Sequence, residues 1–376
     1  MKTQRLAVVS SLALTGVLAL AGCGGGNSGS TNPGGGGGET QAAESGDGNC
    51  FSGNLTAEGS SAQKNAFEEA VNLYSENCQD AKISYNPTGS GAGIKQFIAG
   101  QVNFAGSDSA LKTEAKDGKI EQQQADAACA SPAWNIPMVT GPIAIAYNVP
   151  GVEKLTLTPA VTADIFTGKV KTWNDPAIAK VNAGVNLPAT PIKPFFRSDE
   201  SGTTENFTKY LAAAAPKNWT AEPAKKWSGK GQGVEKSAGV TNGVKGTEGG
   251  ITYTELSYAK DAGLKYAQID NGAGPVELTG ESVGKAVAAA KPAGEGNDLK
   301  LKLDYATKEA GAYPILLVTY EIVCSTYKDQ ATGTNVRSFL TSFASQDTQT
   351  AIEEIGYAPL PAEVRSKVET AIAAIK

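Results

Sequence analysis

The chain is 376 residues long, 40% hydrophobic, and carries a formal net charge of −5 with no histidine. That is enough apolar material for two packed domains. The acidic balance argues against a nucleic-acid binder, and the missing histidine removes the commonest general base and metal ligand.

The N-terminus has the form of an export leader. Lys2 and Arg5 precede an apolar run from Leu6 to Leu20, and Ala21-Gly22 then lead into Cys23. The run is too short to span a bilayer as a stable helix. A cysteine directly after such small residues resembles the bacterial lipobox, in which that cysteine is lipidated and becomes the mature N-terminus. Residues 1–22 are therefore expected to be a lipoprotein signal peptide. Residues 23–49, rich in Gly, Ser, Asn and Glu, are expected to be a lipid anchor at Cys23 and a flexible tether. Two acyl chains would hold the protein on a membrane face without crossing it.

Four cysteines remain: Cys50, Cys78, Cys129 and Cys324. An exported chain with an even number suggests two disulfides, and three pairings are possible. Cys50–Cys78, bracketing one strand–helix passage, and Cys129–Cys324, tying an early segment to a late strand, are predicted. Without CxxC spacing or histidine, no metal site is expected.

A short strand from Leu55 turns at Gly59. Ser60 or Ser61 is expected to cap a helix bearing Phe67, Ala70, Val71 and Tyr74 on one face. The stretch Asn86–Leu111 repeats the construction. The alternating run Ile83-Ser84-Tyr85 leads into Gly89-Ser90-Gly91-Ala92-Gly93, then into Ile94, Phe97 and Ile98 at helical spacing, closing on Gly106-Ser107-Asp108. A helix start behind a glycine turn leaves unpaired N–H donors and partial positive charge around a small volume, which suits an anion. A phosphate-loop NTPase needs Lys then Ser or Thr after the last glycine, and Ile94 follows Gly93 here.

A polar helical stretch over 113–128 precedes a buried strand, Trp134–Asn148, interrupted by Gly141-Pro142, where a crossing between lobes is expected. Helices are predicted from Pro159 and from Trp173 to near Gly184. The run Pro194-Phe195-Phe196-Arg197 ends in a small-polar turn, Ser198 to Gly202, with a helix from about Thr203. This is a third donor-rich helix mouth, approached by an arginine whose planar fork suits an oxyanion. Residues 216–250, rich in Gly and Lys, read as loops. A strand at Ile251–Thr254 and a helix from Glu255 to Ala262 follow. A late apolar strand, Tyr313–Val323, mirrors Trp134–Asn148, and three amphipathic segments (334–344, 348–356 and 363–375) complete the chain. A chain that leaves its first lobe and later returns forms a hinged cleft. The expected division is 50–141 plus 313–376 for one lobe and 142–312 for the other.

Taken together, TGSGAGIKQFIAGQVNFAGSD, RSDESGT and the tail Gly356-Tyr357-Ala358-Pro359-Leu360-Pro361 resemble the phosphate-binding protein of the high-affinity phosphate ABC transporter. Weaker agreement runs through FTGKVKTWNDPAIAKVNAGVNLP and GGITYTELSYA, so that the resemblance extends from about Leu55 to Ala373. It implies a two-lobed α/β fold of the periplasmic-binding-protein type (type II), closing around one phosphate. It implies contacts from the Ser61 hydroxyl and the Ala62 N–H, from Ser90 and Asp108, and from Arg197 oriented by Asp199. Ser201, Gly202 and Thr203 would supply donors at the second helix mouth. The first loop reads Gly59-Ser60-Ser61-Ala62, where relatives often carry Thr and then a larger apolar residue. The implied partners are inorganic phosphate and the permease subunits of a phosphate ABC transporter, for a monomer without cofactor on the outer face of the cytoplasmic membrane. Asp108 then has a chemical purpose: hydrogen phosphate donates a hydrogen bond to a fixed carboxylate, whereas sulfate has no proton to donate. Two other readings stand beside this one: a receptor for sulfate or molybdate, and an exported phosphatase or serine hydrolase that would have to act without histidine.

Overall fold

Two strands carry the chain between two hydrophobic cores. The computed structural model describes residues 50–115 and 118–376; the leader, Cys23 and the tether lie outside the described residues. The first of these strands, Ala133–Asn148, is 16 residues long. Its N-terminal half packs Ile136, Met138 and Val139 into one core with Phe67, Phe104 and Phe339. Its C-terminal half packs Ile143 to Tyr147 into the other, with Phe166, Phe207 and Tyr253. The return strand, Leu316–Cys324, pairs antiparallel with it and makes the opposite passage. Leu316 and Leu317 sit in the second core, Ile322 and Val323 in the first. Burial along the whole length explains why both segments are continuously apolar rather than alternating. The fold is two-lobed α/β.

One sheet of nine strands runs through both lobes. On one flank Ala81–Asn86, Gly53–Gly59 and Phe104–Ser107 are parallel. On the other Gly250–Glu255, Lys193–Arg197 and Gln232–Val234 are parallel. The crossing strands join the flanks by antiparallel pairing. Helices at Lys64–Asn77, Ser90–Ile98, Gly202–Ala214 and Lys236–Lys245 follow the carboxyl ends of parallel strands, which is where α/β proteins collect ligand-facing loops.

Several local expectations need correction. The first helix begins at Lys64 with Gln63 as N-cap and no side-chain cap, so neither Ser60 nor Ser61 caps it. The polar segment after residue 113 becomes helical only at Glu121, ending at Cys129. The turn at Trp173 leads to a helix of four residues, Pro176–Ala179. The stretch 216–250 contains the strand Gln232–Val234 and the helix Lys236–Lys245, whose Val240 and Val244 enter the second core. Three glycines at 239, 243 and 246 masked that pattern, because glycine lowers helix propensity wherever packing does not override it.

Cys50 is joined to Cys78, and Cys129 to Cys324. The second bond closes 195 residues, the first 28. Chain entropy assigns about 5 kcal/mol to the longer loop and about 3.5 kcal/mol to the shorter. Removing Cys129–Cys324 by a double Ser substitution should therefore lower stability in urea by more than removing Cys50–Cys78. Equal losses would show that native-state effects outweigh loop length.

Candidate functional site

Asp108, at the end of strand Phe104–Ser107, is 3% exposed and has no basic partner. Hydroxyls surround it instead. Its Oδ1 accepts from Ser60 Oγ at 2.5 Å and Thr319 Oγ1 at 2.8 Å, and its Oδ2 accepts from Ser90 Oγ at 3.0 Å. A carboxylate has about four lone-pair sites, so one is left to accept from a ligand. Burial pushes the Asp108 carboxyl up to about 6, and Glu255 adds to the rise against the three hydroxyls. At neutral pH it is still mostly ionised.

Two further loops of the same lobe meet it. Ser90 opens the helix Ser90–Ile98 after Gly89, whose φ of +104° is a conformation that suits glycine. Its Oγ also accepts from the Asp108 N–H at 3.1 Å, so hydroxyl and carboxylate lock each other. Ser60 Oγ accepts from the Ala62 N–H at 3.0 Å. The carbonyls of Ser61 and Ala62 accept from the Tyr258 and Tyr357 hydroxyls at 2.8 and 2.7 Å. Tyr357 belongs to the Gly356–Pro361 tail, so that distant segment holds the first loop in place.

The opposing lobe supplies Arg197, 2% exposed at the end of strand Lys193–Arg197. Its Nε donates to Asp199 Oδ1 at 2.7 Å, and its Nη2 pairs with Asp199 Oδ2. Its Nη1 donates to Ser237 Oγ at 3.1 Å and faces Thr203 Oγ1 at 3.5 Å. Burial works against the guanidinium charge, but Asp199 and Glu255 outweigh it and hold the pKa above its ordinary value. Asp199 also accepts from the Lys236 N–H at 2.9 Å. Burial opposes its ionisation, yet Arg197 and that amide keep its carboxyl below the usual range. Thr203 Oγ1 donates to Glu255 Oε1 at 2.6 Å.

Ser201 caps the helix Gly202–Ala214 by accepting from the Thr204 N–H at 3.1 Å. The N–H groups of Gly202 and Thr203 lie in the first turn, where no carbonyl of the helix reaches them. A Cβ on Gly202 would stand 2.5 Å from both Asp108 Cβ and Ser90 Oγ, so glycine is what lets the two lobes meet here. The contact is completed by Ser237 at the start of helix Lys236–Lys245. Its Oγ lies 3.0 Å from Ser61 Oγ, and its N–H donates to that oxygen at 3.2 Å.

Ser61, Ala62, Ser90, Asp108, Arg197, Asp199, Ser201, Gly202 and Thr203 thus lie in one continuous network, most of them fully buried. Sequence reasoning missed Ser60, Ser237, Glu255 and Thr319. Ser60 stands in sequence as one of two candidate helix caps, and Ser237 lies in a stretch that reads as loop. Glu255 reads as the first residue of a helix but ends the strand Gly250–Glu255, and Thr319 sits in a strand whose apolar neighbours give no sign of a polar role. Arg197 faces the carboxylates of Asp199 and Glu255. Attraction for an anion must therefore come from fixed dipoles, namely hydroxyls and first-turn N–H groups, rather than from surplus positive charge.

A family profile for a PBP superfamily domain matches residues 37–347. The chain is 42% identical to phosphate-binding protein PstS2 of Mycobacterium bovis (strain BCG / Pasteur 1173P2) over the full length of both. It is 41% identical to phosphate-binding protein PstS 3 of Mycobacterium leprae, again over both full lengths. Among solved structures it resembles a high affinity periplasmic phosphate-binding protein (PfluDING) bound with phosphate. There the TM-score is 0.69 at 22% identity, covering 85% of this chain and 93% of that one. A phosphate-binding protein from Stenotrophomonas maltophilia gives 0.62 at 22% identity, covering 85% and 93%. The structural likenesses speak for the fold; the identity to curated relatives along the whole chain places it in a family. The chain belongs to the PstS family of phosphate-binding proteins.

Proposed function

We propose that this protein is an extracytoplasmic receptor that captures one inorganic phosphate between its lobes and delivers it to the permease of a phosphate ABC transporter. The observation that carries the reading is Asp108: a buried carboxylate with one acceptor position open, facing first-turn N–H donors of the opposing lobe. Such a pairing fits an anion that both accepts and donates hydrogen bonds. Ser61, the Ala62 N–H, Ser90, Ser201, Gly202 and Thr203 would surround its oxygens. Arg197, held by Asp199, would supply the charged fork. The protein would act by binding alone, without catalysing a reaction on its ligand.

The same reading assigns the lobe boundary to the two crossing strands, near Gly141-Pro142 on the outward passage and around Val318 on the return. There the strands pass from one core to the other. Hinge bending at that point would open the cleft. Among the described residues no helix is long and apolar enough to cross a membrane. Lipidation at Cys23, after removal of residues 1–22, would hold the protein at the outer face of the cytoplasmic membrane as a monomer on its tether.

Calorimetric titration of ligand-stripped protein should give tight one-to-one binding of phosphate and no heat with sulfate. Sites that require a ligand donor reject an analogue lacking it by roughly 10⁴–10⁵. Asp108→Asn should collapse much of that ratio by admitting sulfate; an unchanged ratio would remove Asp108 from the discrimination. Binding of both anions by the native protein would favour a broader oxyanion receptor.

The carboxyl of Asp108 also sets a pH dependence. Above about 6 it is ionised and accepts only; below about 6 it is protonated and can donate. Selectivity against sulfate should therefore fall as pH falls through about 6, and Asp108→Asn should not show that change. Arg197→Ala leaves Asp199 buried without its partner and should cost about 2–5 kcal/mol of phosphate affinity. An unchanged dissociation constant would exclude Arg197 from the site.

A further inference from the structure

Beneath the site, on the return strand, lies a second buried carboxylate. Glu321 is 0% exposed, two residues along from Thr319, which donates to Asp108. It faces Gly106 across one strand and Ile136 across the other. Both of its oxygens lack a hydrogen-bond partner, and so does Gln63 Oε1. Gln63 is the side chain set against Glu321, and its Nε2 donates to Tyr85 Oη at 3.1 Å. The Tyr85 hydroxyl in turn donates to the carbonyl of Ser60, whose own hydroxyl holds Asp108. Asp108 and Tyr85 are the titratable groups that act with Glu321 here, and no basic residue acts on it.

Three orphaned acceptors in one dry cluster are costly, because an ionised carboxylate and an amide oxygen have no proton to share. One proton on Glu321 changes this, since a carboxylic acid is itself a donor. Two buried carboxylates near one another also resist ionising together, so one retains a proton that the other gives up. Asp108 has three hydroxyl donors to stabilise its charge, whereas Glu321 has no hydroxyl donor and only the Gln63 amide set against it.

We propose that Glu321 is a positioning residue that carries the proton of this buried pair, leaving Asp108 ionised to accept from the ligand. The proposal rests on the phosphate reading of the site. Burial, with Asp108 adding to it and Gln63 opposing, pushes the Glu321 carboxyl up to about 8. An entering phosphate brings further negative charge and raises it again. On the alkaline side, phosphate binding therefore draws a proton from solvent onto Glu321. Affinity declines as pH rises above about 8, by up to about tenfold per pH unit for one linked proton.

The test uses the soluble protein and its Glu321→Gln variant, which keeps a neutral, hydrogen-bonding group of the same shape. Infrared spectra of ligand-free protein at neutral pH should show the carbonyl stretch of a protonated carboxylic acid, lost in the variant. Phosphate affinity near pH 7 should agree within about threefold. From about pH 8 to pH 9.5 native affinity should fall more steeply than that of the variant, by up to about tenfold per pH unit. Titrations in buffers of different ionisation enthalpy should show proton uptake by the native protein in excess of the variant's. Titration of other groups, Lys209 included, persists in the variant and cancels in the comparison. A missing carboxylic-acid band, or equal alkaline weakening in both proteins, overturns the proposal. If the variant does not fold, the native protein alone decides: no band and no proton uptake overturn it. The band together with silence toward phosphate would support the proton on Glu321 and overturn the phosphate reading instead.

Discussion

The rest of the site depends on keeping one carboxylate, Asp108, ionised inside the protein without a basic partner. Burying a charge in that way is unfavourable unless hydrogen-bond donors replace the water it loses. Here three hydroxyls do so, from Ser60, Ser90 and Thr319. They come from three separate segments: the turn after the first strand, the glycine loop, and the return strand, whose Thr319 is 211 residues from Asp108. The constraint ties sequence-distant parts of the fold to one point. It also accounts for the glycines: Gly89 lets the loop turn, and Gly202 lets the opposing helix approach until its backbone faces Asp108 and Ser90.

Lobe contact adds a second layer of electrostatics away from the anion pocket. Glu205, on the helix that carries Gly202 and Thr203, is 2% exposed and paired with Lys112, Lys209 and Lys225. Burial opposes its charge, but the three lysines outweigh it and hold the carboxyl well below the usual range. Ser109, the neighbour of Asp108, donates to the same carboxylate at 2.9 Å. Lys95 reaches Glu200 at 2.5 Å from the glycine-loop helix. That pair is largely exposed and contributes little. Glu205 itself is buried, and Lys112 and Ser109 reach it from the other lobe. Lys225 also pairs with Glu121, so two carboxylates stand against three lysines in this cluster.

What was legible in the sequence follows from how local each signal is. The glycine loop, the Asp108 turn and the Arg197–Thr203 junction are contiguous runs whose chemistry is visible within a few residues. The resemblance to a known family was carried by those runs. The two crossing strands were legible because burial on both faces makes them continuously apolar. Ser60 and Ser237 were not legible. A serine ahead of a helix is ordinarily a cap, and only tertiary contact turns Ser60 toward Asp108 instead. Ser237 begins a helix weakened by glycines, held by Val240 and Val244 against a core assembled from remote segments. Thr319 and Glu321 lie inside the run Tyr313–Val323, which reads as an apolar strand as a whole, although their two-residue spacing places both on one face.

That spacing raises a question of charge balance. Besides Asp199, which Arg197 pairs with, the fold buries Asp108, Glu255 and Glu321. A site built only to attract anions would do the reverse. The proposed phosphate reading gives the arrangement a rationale: Asp108 would favour an anion that brings its own proton, while Glu255 accepts from Thr203 at the opposite helix mouth. The Asp108 role needs its charge, which is why the proposed proton falls on Glu321. Glu321 is the carboxyl with no hydroxyl to stabilise its charge, at the place where the return strand crosses beneath Asp108. The acidic interior and the preference for a protonated anion then have one physical origin. On the proposed reading the site would discriminate by where its protons reside, and its attraction would come from oriented dipoles whose strength does not depend on the protein's net charge.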